Sequence, residues 1–319
     1  MRTVTTVAGD IPPDALGFCQ SHEHLCIAHG RSSEINADLL IDDEAKSAEE
    51  LAGYRRAGGC AVVDAQPVGC GRDARFLEQI SRAGGVHIIA STGFHKMIFY
   101  PEGHWIFSMT SGELAEIFIA ELTDGMYIGC DAAHPIEKTG ARAGQIKTAL
   151  DTAGLGAQYG KLFAAAAIAA RETGRALMVH IERGSEPLEL AKFLASSGVK
   201  LNRAVFCHMD RAADDIEIHK EICRMGIFVE YDTICRPKYH GDKREAEIIA
   251  SMLDAGFEDS ILMGLDTTRA RLASYGGAPG LSYILDKFIP FLEGRGVSHE
   301  QIRKAFADNP ARAFSHGEA

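Results

Sequence analysis

The sequence predicts an α/β protein of the (β/α)8 barrel type, and three observations carry that prediction. Short β-branched apolar runs alternate with helical stretches eight times. Each run is continuously apolar, as suits parallel strands buried on both faces. The length, 319 residues, is usual for one such barrel with modest extensions. Strand–helix alternation repeated this often favours a closed barrel over an open doubly wound sheet. No Gly-rich dinucleotide loop follows the first strand.

Taken in order, the predicted strands lie around Leu16–Cys19, Cys60–Ala65, Val86–Thr92, Gln145–Thr148, Ala176–His180, Ala204–His208, Ile227–Tyr231 and Ile261–Leu265. Between them, Tyr159–Thr173 is Ala-rich and stops at Gly174, a residue suited to a helix C-terminus. Leu188–Ser196, Asp214–Met225 and Asp242–Ala255 show apolar spacing near the helical repeat, and Ser298-His299-Glu300-Gln301 reads as a capping box before the last helix. No linker or low-complexity tract interrupts the chain, so one domain spanning 1–319 is expected. Residues 1–15 form an N-terminal cap segment, and 95–135 an insertion near the barrel mouth.

Composition narrows the function. The net charge of −11 repels phosphate backbones and argues against nucleic acid, while leaving room for a small, even anionic, substrate in a local basic pocket. Eight cysteines are present, but they fall largely in apolar runs and none forms a CxxC pair, so they read as small hydrophobes in a reduced, cytoplasmic protein. The first residues carry no long apolar stretch, and no run approaches the roughly 18–20 residues of a membrane span.

The decisive feature is where polar residues meet the strands. Barrel enzymes place their chemistry at strand C-terminal ends. Here strand one runs into Ser21-His22-Glu23-His24, and residues two apart in extended chain share a side. Strand four carries Lys147, strands five and six end in His180 and His208, and strand eight ends at Asp266. Ionisable residues at the tips of apolar strands are costly unless paired or metal-bound. A set of six on five tips points to a metal centre.

This constellation resembles the phosphotriesterase family of the amidohydrolase superfamily. The resemblance runs through Gly17-Phe18-Cys19-Gln20-Ser21-His22-Glu23-His24-Leu25, Glu172-Thr173-Gly174 and Asn309-Pro310-Ala311-Arg312. It implies a (β/α)8 TIM barrel and a binuclear metal-dependent hydrolase in which a metal-bridging hydroxide attacks an ester. His22, His24 and Asp266 would ligate the buried metal, and His180 and His208 the outer one. Lys147, carboxylated by carbon dioxide, would bridge both. Two cations repel an ammonium and a desolvated lysine gives up its proton more readily, so a carbamate is the chemically reasonable form. Zinc is the expected metal, with manganese, cobalt and iron as alternatives. Asp266 would accept the proton of the attacking hydroxide, and Asp210, two residues beyond His208, would relay it or orient a ligand.

The resemblance further implies a lactonase. Family lactonases often carry Tyr where His95 stands, and His95-Lys96 looks more like the subgroup that opens phosphorylated sugar lactones. That substrate needs a phosphate clamp, and the loops after strands seven and eight offer Arg236, Lys238, Tyr239, Arg269, Arg271 and Tyr275, with Lys238 and Arg269 preferred. The alternatives are a phosphotriesterase or other carboxyl-ester hydrolase, a nuclease barrel, and a catalytically silent metal- or ligand-binding barrel. Nuclease barrels commonly place Glu where Lys147 stands. A small-molecule substrate, no nucleic-acid or membrane partner, and a homo-oligomer, most simply a dimer, complete the expectations.

Overall fold

A computed structural model describes residues 2–317. Eight parallel strands form the barrel: β1 (Cys19–Glu23), β2 (Ala61–Asp64), β3 (His87–Ile89 continuing as Ser91–Gly93), β4 (Gln145–Leu150), β5 (Ala176–Ile181), β6 (Ala204–Cys207), β7 (Phe228–Tyr231) and β8 (Ile261–Met263). The first half of β3 pairs with β2 and the second half with β4. The carbonyl of Ala90, between the halves, accepts from the N–H groups of Gly144 and Gln145. The ring closes between β8 and β1, where Ser21 Oγ donates to the Met263 carbonyl (3.0 Å) and Asp266 N–H to the His22 carbonyl (2.9 Å).

Helices α1 (Glu44–Ala57), α2 (Ala74–Gly84), α3 (Ser111–Thr123), α4 (Ala157–Thr173), α5 (Pro187–Ser196), α6 (Ile216–Arg224) and α7 (Asp242–Asp254) cover the outside. Helix α4 ends where expected, with Gly174 in the left-handed region at φ 67°. The Ser298 capping box is formed, its side chain accepting from Gln301 N–H while Gln301 answers to Ser298 N–H.

Two sequence expectations shift. The first strand begins at Cys19, not Leu16, because Pro13–Leu16 is a 3-10 turn and Gly17 (φ 62°) breaks the chain before the strand. Its polar residues, Gln20 to Glu23, are all buried, so the strand carries little of the apolar signal by which strands are recognised. Within 95–135 lies α3, which packs on α4 as a barrel helix; the excursion toward the mouth is the stretch before it, with Met97–Phe99 and Trp105–Ser108 as short turns. The N-terminal segment is a hairpin of Val4–Thr6 and Gly9–Ile11. It covers the barrel end opposite the strand tips, through Val7 N–H to Ile88 O (2.9 Å) and the Arg175–Thr5 hydrogen bond.

Candidate metal centre

Strand pleating aims one side of each tip inward, and two glycines let the strands close around what is aimed there. Gly93 stands opposite Lys147 in the β3–β4 ladder, where an added Cβ would lie 2.0 Å from the Lys147 carbonyl. Gly264 sits against β1, where a Cβ would lie 2.8 Å from the His22 backbone.

All six predicted ligands line one pocket of about 130 Å3 at the strand tips. Ligand atoms of His22, His24 and Asp266 lie within 4.8 Å of one another, and all three residues are buried. His24 Nε2 is 3.6 Å and His22 Nε2 3.9 Å from Asp266 Oδ1. Lys147 Nζ lies 3.2 Å from His22 Nε2. Its side chain is only 1% exposed, and among the described residues no carboxylate pairs with it. The His180 and His208 rings stand 4.5 Å apart, and His208 is 4.8 Å from His22.

Two ligand positions are held in an unusual backbone conformation. His208 (φ 62°) and Asp266 (φ 49°) both occupy the left-handed region, which costs a non-glycine residue free energy and is typical of sites where a side chain must be aimed. His208 directly follows β6 and Asp266 lies three residues past the end of β8, and both side chains line the mouth pocket.

Carboxylates stand behind three of the histidines. His22 Nδ1 bonds Glu230 (2.7 Å), His208 Nδ1 bonds Asp232 (2.7 Å), and His180 Nε2 bonds Glu182 (3.2 Å). Each bond fixes the ring and leaves its other nitrogen for a cation. Burial lowers His22 and His208 well below the ordinary imidazole value, and lowers His180 to about 4. These rings are therefore neutral, as metal ligation requires. Burial also pushes the Glu230 carboxyl up to about 7 and Asp232 well above its usual value. For Asp266 burial works upward as well, but Arg236 and Arg211 outweigh it and hold the carboxyl well below the usual range. Both guanidinium groups bond Asp266 Oδ2, Arg211 at 2.9 Å. Neutral His22, His180 and His208, an ionised aspartate and a buried lysine lacking a counter-ion, with His24 beside them, form a donor set that fits a binuclear metal site.

The predicted substrate contacts separate. His95, Lys96 and Arg236 line the pocket, with Gln66, Phe99 and Thr268. Lys96 Nζ also bonds Glu182 at 2.6 Å. Lys238 and Tyr239 line an adjoining cavity instead, where Arg211 and Arg236 stack on the Tyr239 ring. The other three do not line the pocket. Arg269 stacks on Tyr275 and reaches the Leu40 carbonyl (3.3 Å), Arg271 is spent on the carbonyls of Ile234 and Cys235, and the Tyr275 hydroxyl bonds Asp43 and Ser47. Arg269 to Arg271 form one 3-10 turn, and their contacts with backbone carbonyls hold both guanidinium groups outside the pocket lining.

Asp210 also lies outside the pocket. Its Oδ2 accepts from the N–H groups of Asp232 (2.9 Å) and Thr233 (2.6 Å), so it supports the carboxylate behind His208. The residues that sequence reasoning missed are Arg211, Glu182, Glu230 and Asp232. Glu230 and Asp232 had a signal, because two acids at alternate positions of an otherwise apolar strand share one face.

The sequence profile of the Phosphotriesterase family matches residues 2–314. A phospho-furanose lactonase of Mycoplasmopsis synoviae (strain 53) is 30% identical over 323 residues, covering 98% of this chain and 92% of its own. The crystal structure of an amidohydrolase from Mycoplasma synoviae superposes with a TM-score of 0.94 at 29% identity, covering 99% of this chain and 93% of that one. A lactonase from Listeria monocytogenes gives a TM-score of 0.88 at 29% identity, with 98% of each chain covered.

Proposed function

This chain belongs to the phosphotriesterase family, and from that premise we propose that it is a binuclear metal-dependent lactonase that opens a sugar lactone, with a furanose lactone phosphate as the preferred form. The observation that carries the proposal is the cationic wall beside the metal ligands. Arg211, Arg236 and Lys96 all line the ligand pocket of a chain whose net charge is −11. The phospho-furanose lactonase and the lactonase among its relatives support the same reading.

His22, His24 and Asp266 would hold one cation and His180 and His208 the other, with a carboxylated Lys147 shared between them. The cations, when bound, supply Lewis acidity that polarises a carbonyl and makes water a nucleophile near neutral pH. The chain's own residues do the rest. Asp266 Oδ1 faces His22 and His24, so it is the base within reach of the reacting water, and it then returns the proton to the ring oxygen that leaves. Arg211 and Arg236 grip the other oxygen of the same carboxylate and fix its orientation. Their remaining N–H groups, with Lys96, offer charge-assisted bonds to a phosphate on the sugar. Phe99 and His95 supply an apolar and aromatic side to the pocket against which a sugar ring can lie.

The test is a hydrolysis screen of furanose lactones with and without a 5-phosphate, alongside a neutral organophosphate triester and the Lys96→Ala, Arg236→Ala, Lys238→Ala and Arg269→Ala variants. The expected result is a kcat/KM at least about tenfold higher for the phosphorylated lactone, equivalent to about 1.4 kcal/mol. Lys96→Ala should erode that preference without abolishing turnover of the unphosphorylated lactone. Equal rates with and without phosphate would refute the substrate assignment, and a faster triester would move the chain to phosphotriester hydrolysis.

A further inference from the structure

A second cluster of ligand-type residues lies behind the centre just described. Asp210 follows β6, His240 lies in the loop after β7, and Glu245 is in the first turn of α7. One ligand atom from each lies within 4.8 Å of the others. Asp210 and Glu245 are 4% and 0% exposed. His240 Nε2 bonds Glu245 Oε2. The other Glu245 oxygen, Oε1, and Asp210 Oδ1 are buried with no hydrogen-bond partner. Two unsatisfied carboxylate oxygens in one buried cluster are an expensive arrangement, because each forfeits hydration without a replacement.

Apart from the His240–Glu245 contact, no counter-charge pairs with them among the described residues. Among the described residues neither acid forms an ion pair with Lys or Arg. Arg211 is committed to Asp266, and Arg244 points to Glu247. Asp210 is also fixed in place, because its second oxygen caps the N–H groups of Asp232 and Thr233. A cavity of about 540 Å3, lined by Asp210, His240, Tyr239 and Arg244, opens onto the cluster and gives an ion a route in.

We propose that Asp210, His240 and Glu245 bind a third divalent cation, separate from the pair held by the histidines of the barrel mouth. Two carboxylates and one imidazole suit manganese, iron or zinc, and water from the cavity would fill the remaining positions. The cation satisfies both orphaned oxygens and cross-links the ends of β6 and β7 with α7. Through Asp210 it stiffens Asp232, the carboxylate that orients His208.

The experiment is anomalous diffraction at the manganese edge on holoenzyme crystals equilibrated with MnCl2, with metal per chain counted by mass spectrometry on the same dialysed protein. The wild type should show a peak among Asp210, His240 and Glu245. Glu245→Gln and His240→Asn should each lose that peak and one metal equivalent, and keep the rest. His240 is part-exposed, so its variant remains informative if the Gln substitution impairs folding. Absence of the peak in wild type, as when the two acids share a proton, would overturn the proposal, and so would an undiminished peak in both variants. A peak here with none at the histidine centre would instead sink the binuclear reading and leave this site standing.

Discussion

Glu230 provides the sharpest test of how the centre is built. It is fully buried, and its Oε2 accepts from His22 Nδ1 at 2.7 Å. A hydrogen bond to a charged acceptor contributes about 1.5–3 kcal/mol, against about 0.5–1.5 for a neutral one. Glu230→Gln keeps the shape and an acceptor oxygen but removes the charge that Glu230 carries above its raised value of about 7, so in an assay on the alkaline side of that value the loss should be about 1–1.5 kcal/mol, roughly tenfold in metal affinity. Glu230→Leu removes the acceptor altogether. His22 then has a buried N–H without a partner and is free to present the wrong nitrogen, which adds about 1–2 kcal/mol and brings the loss to about a hundredfold. The assay is competition for metal against a chelator of known affinity, with circular dichroism to establish that both variants are folded. A graded loss, wild type tighter than Gln and Gln tighter than Leu, is the expected result. If the Gln variant binds metal as tightly as wild type, the carboxylate behind His22 does not tune the ligand and the reasoning fails.

Three further outcomes follow from the same geometry. Lys147→Ala should release most of the bound metal and lower turnover with it; full metal retention with unchanged activity would contradict a bridging lysine. Gly264→Ala places a Cβ 2.8 Å from the His22 backbone, so it should spread β8 from β1, cost about 1–3 kcal/mol in urea unfolding and weaken metal binding, whereas a neutral result would show that the closure is slack. Burial pulls His316 down to about 4 from its ordinary 6.5, so it is neutral in the fold and takes up a proton on unfolding in acid. Its contribution to stability is therefore intact above pH 6.5 and is lost as the pH falls from 6.5 toward 4; His316→Gln should flatten the melting temperature across that window, and an unchanged slope would count against the assignment.

The site was legible because burying an ionisable side chain is costly, so Lys147 within an apolar run and His180 and His208 at the ends of two others stand out in the sequence alone. Asp210 was misplaced for a definite reason. The same-side rule for residues two apart holds only in extended chain, and here the chain turns helical at Met209, with His208 in the left-handed region before it. The turn carries Arg211, rather than Asp210, to the mouth and onto Asp266. Local chain geometry likewise redirected Arg269 and Arg271, which the sequence presents as two loop cations but which one 3-10 turn ties to neighbouring carbonyls. A loop residue's type says what it can bind; only the turn that carries it says where it points.

The arrangement of acids around the histidines has a further logic that depends on strand order. Glu182 follows β5 and serves His180 in the same strand, while the two acids at the end of β7 are divided: Asp232 serves His208 at the end of neighbouring β6, and Glu230 reaches past β8 to His22 on β1. One strand thus orients ligands on both sides of the centre, because closure of the ring brings β1 within reach of β7. His24 has no such acid. Its Nδ1 is buried without a partner, and its position is set through the backbone instead, with Thr267 Oγ1 accepting from its N–H at 2.9 Å and donating to its carbonyl at 3.1 Å. Thr267 directly follows Asp266. The ligand lacking an acid of its own is therefore tied to the aspartate that shares its cation, so His24 and Asp266 are placed as a unit by the seam where the barrel closes.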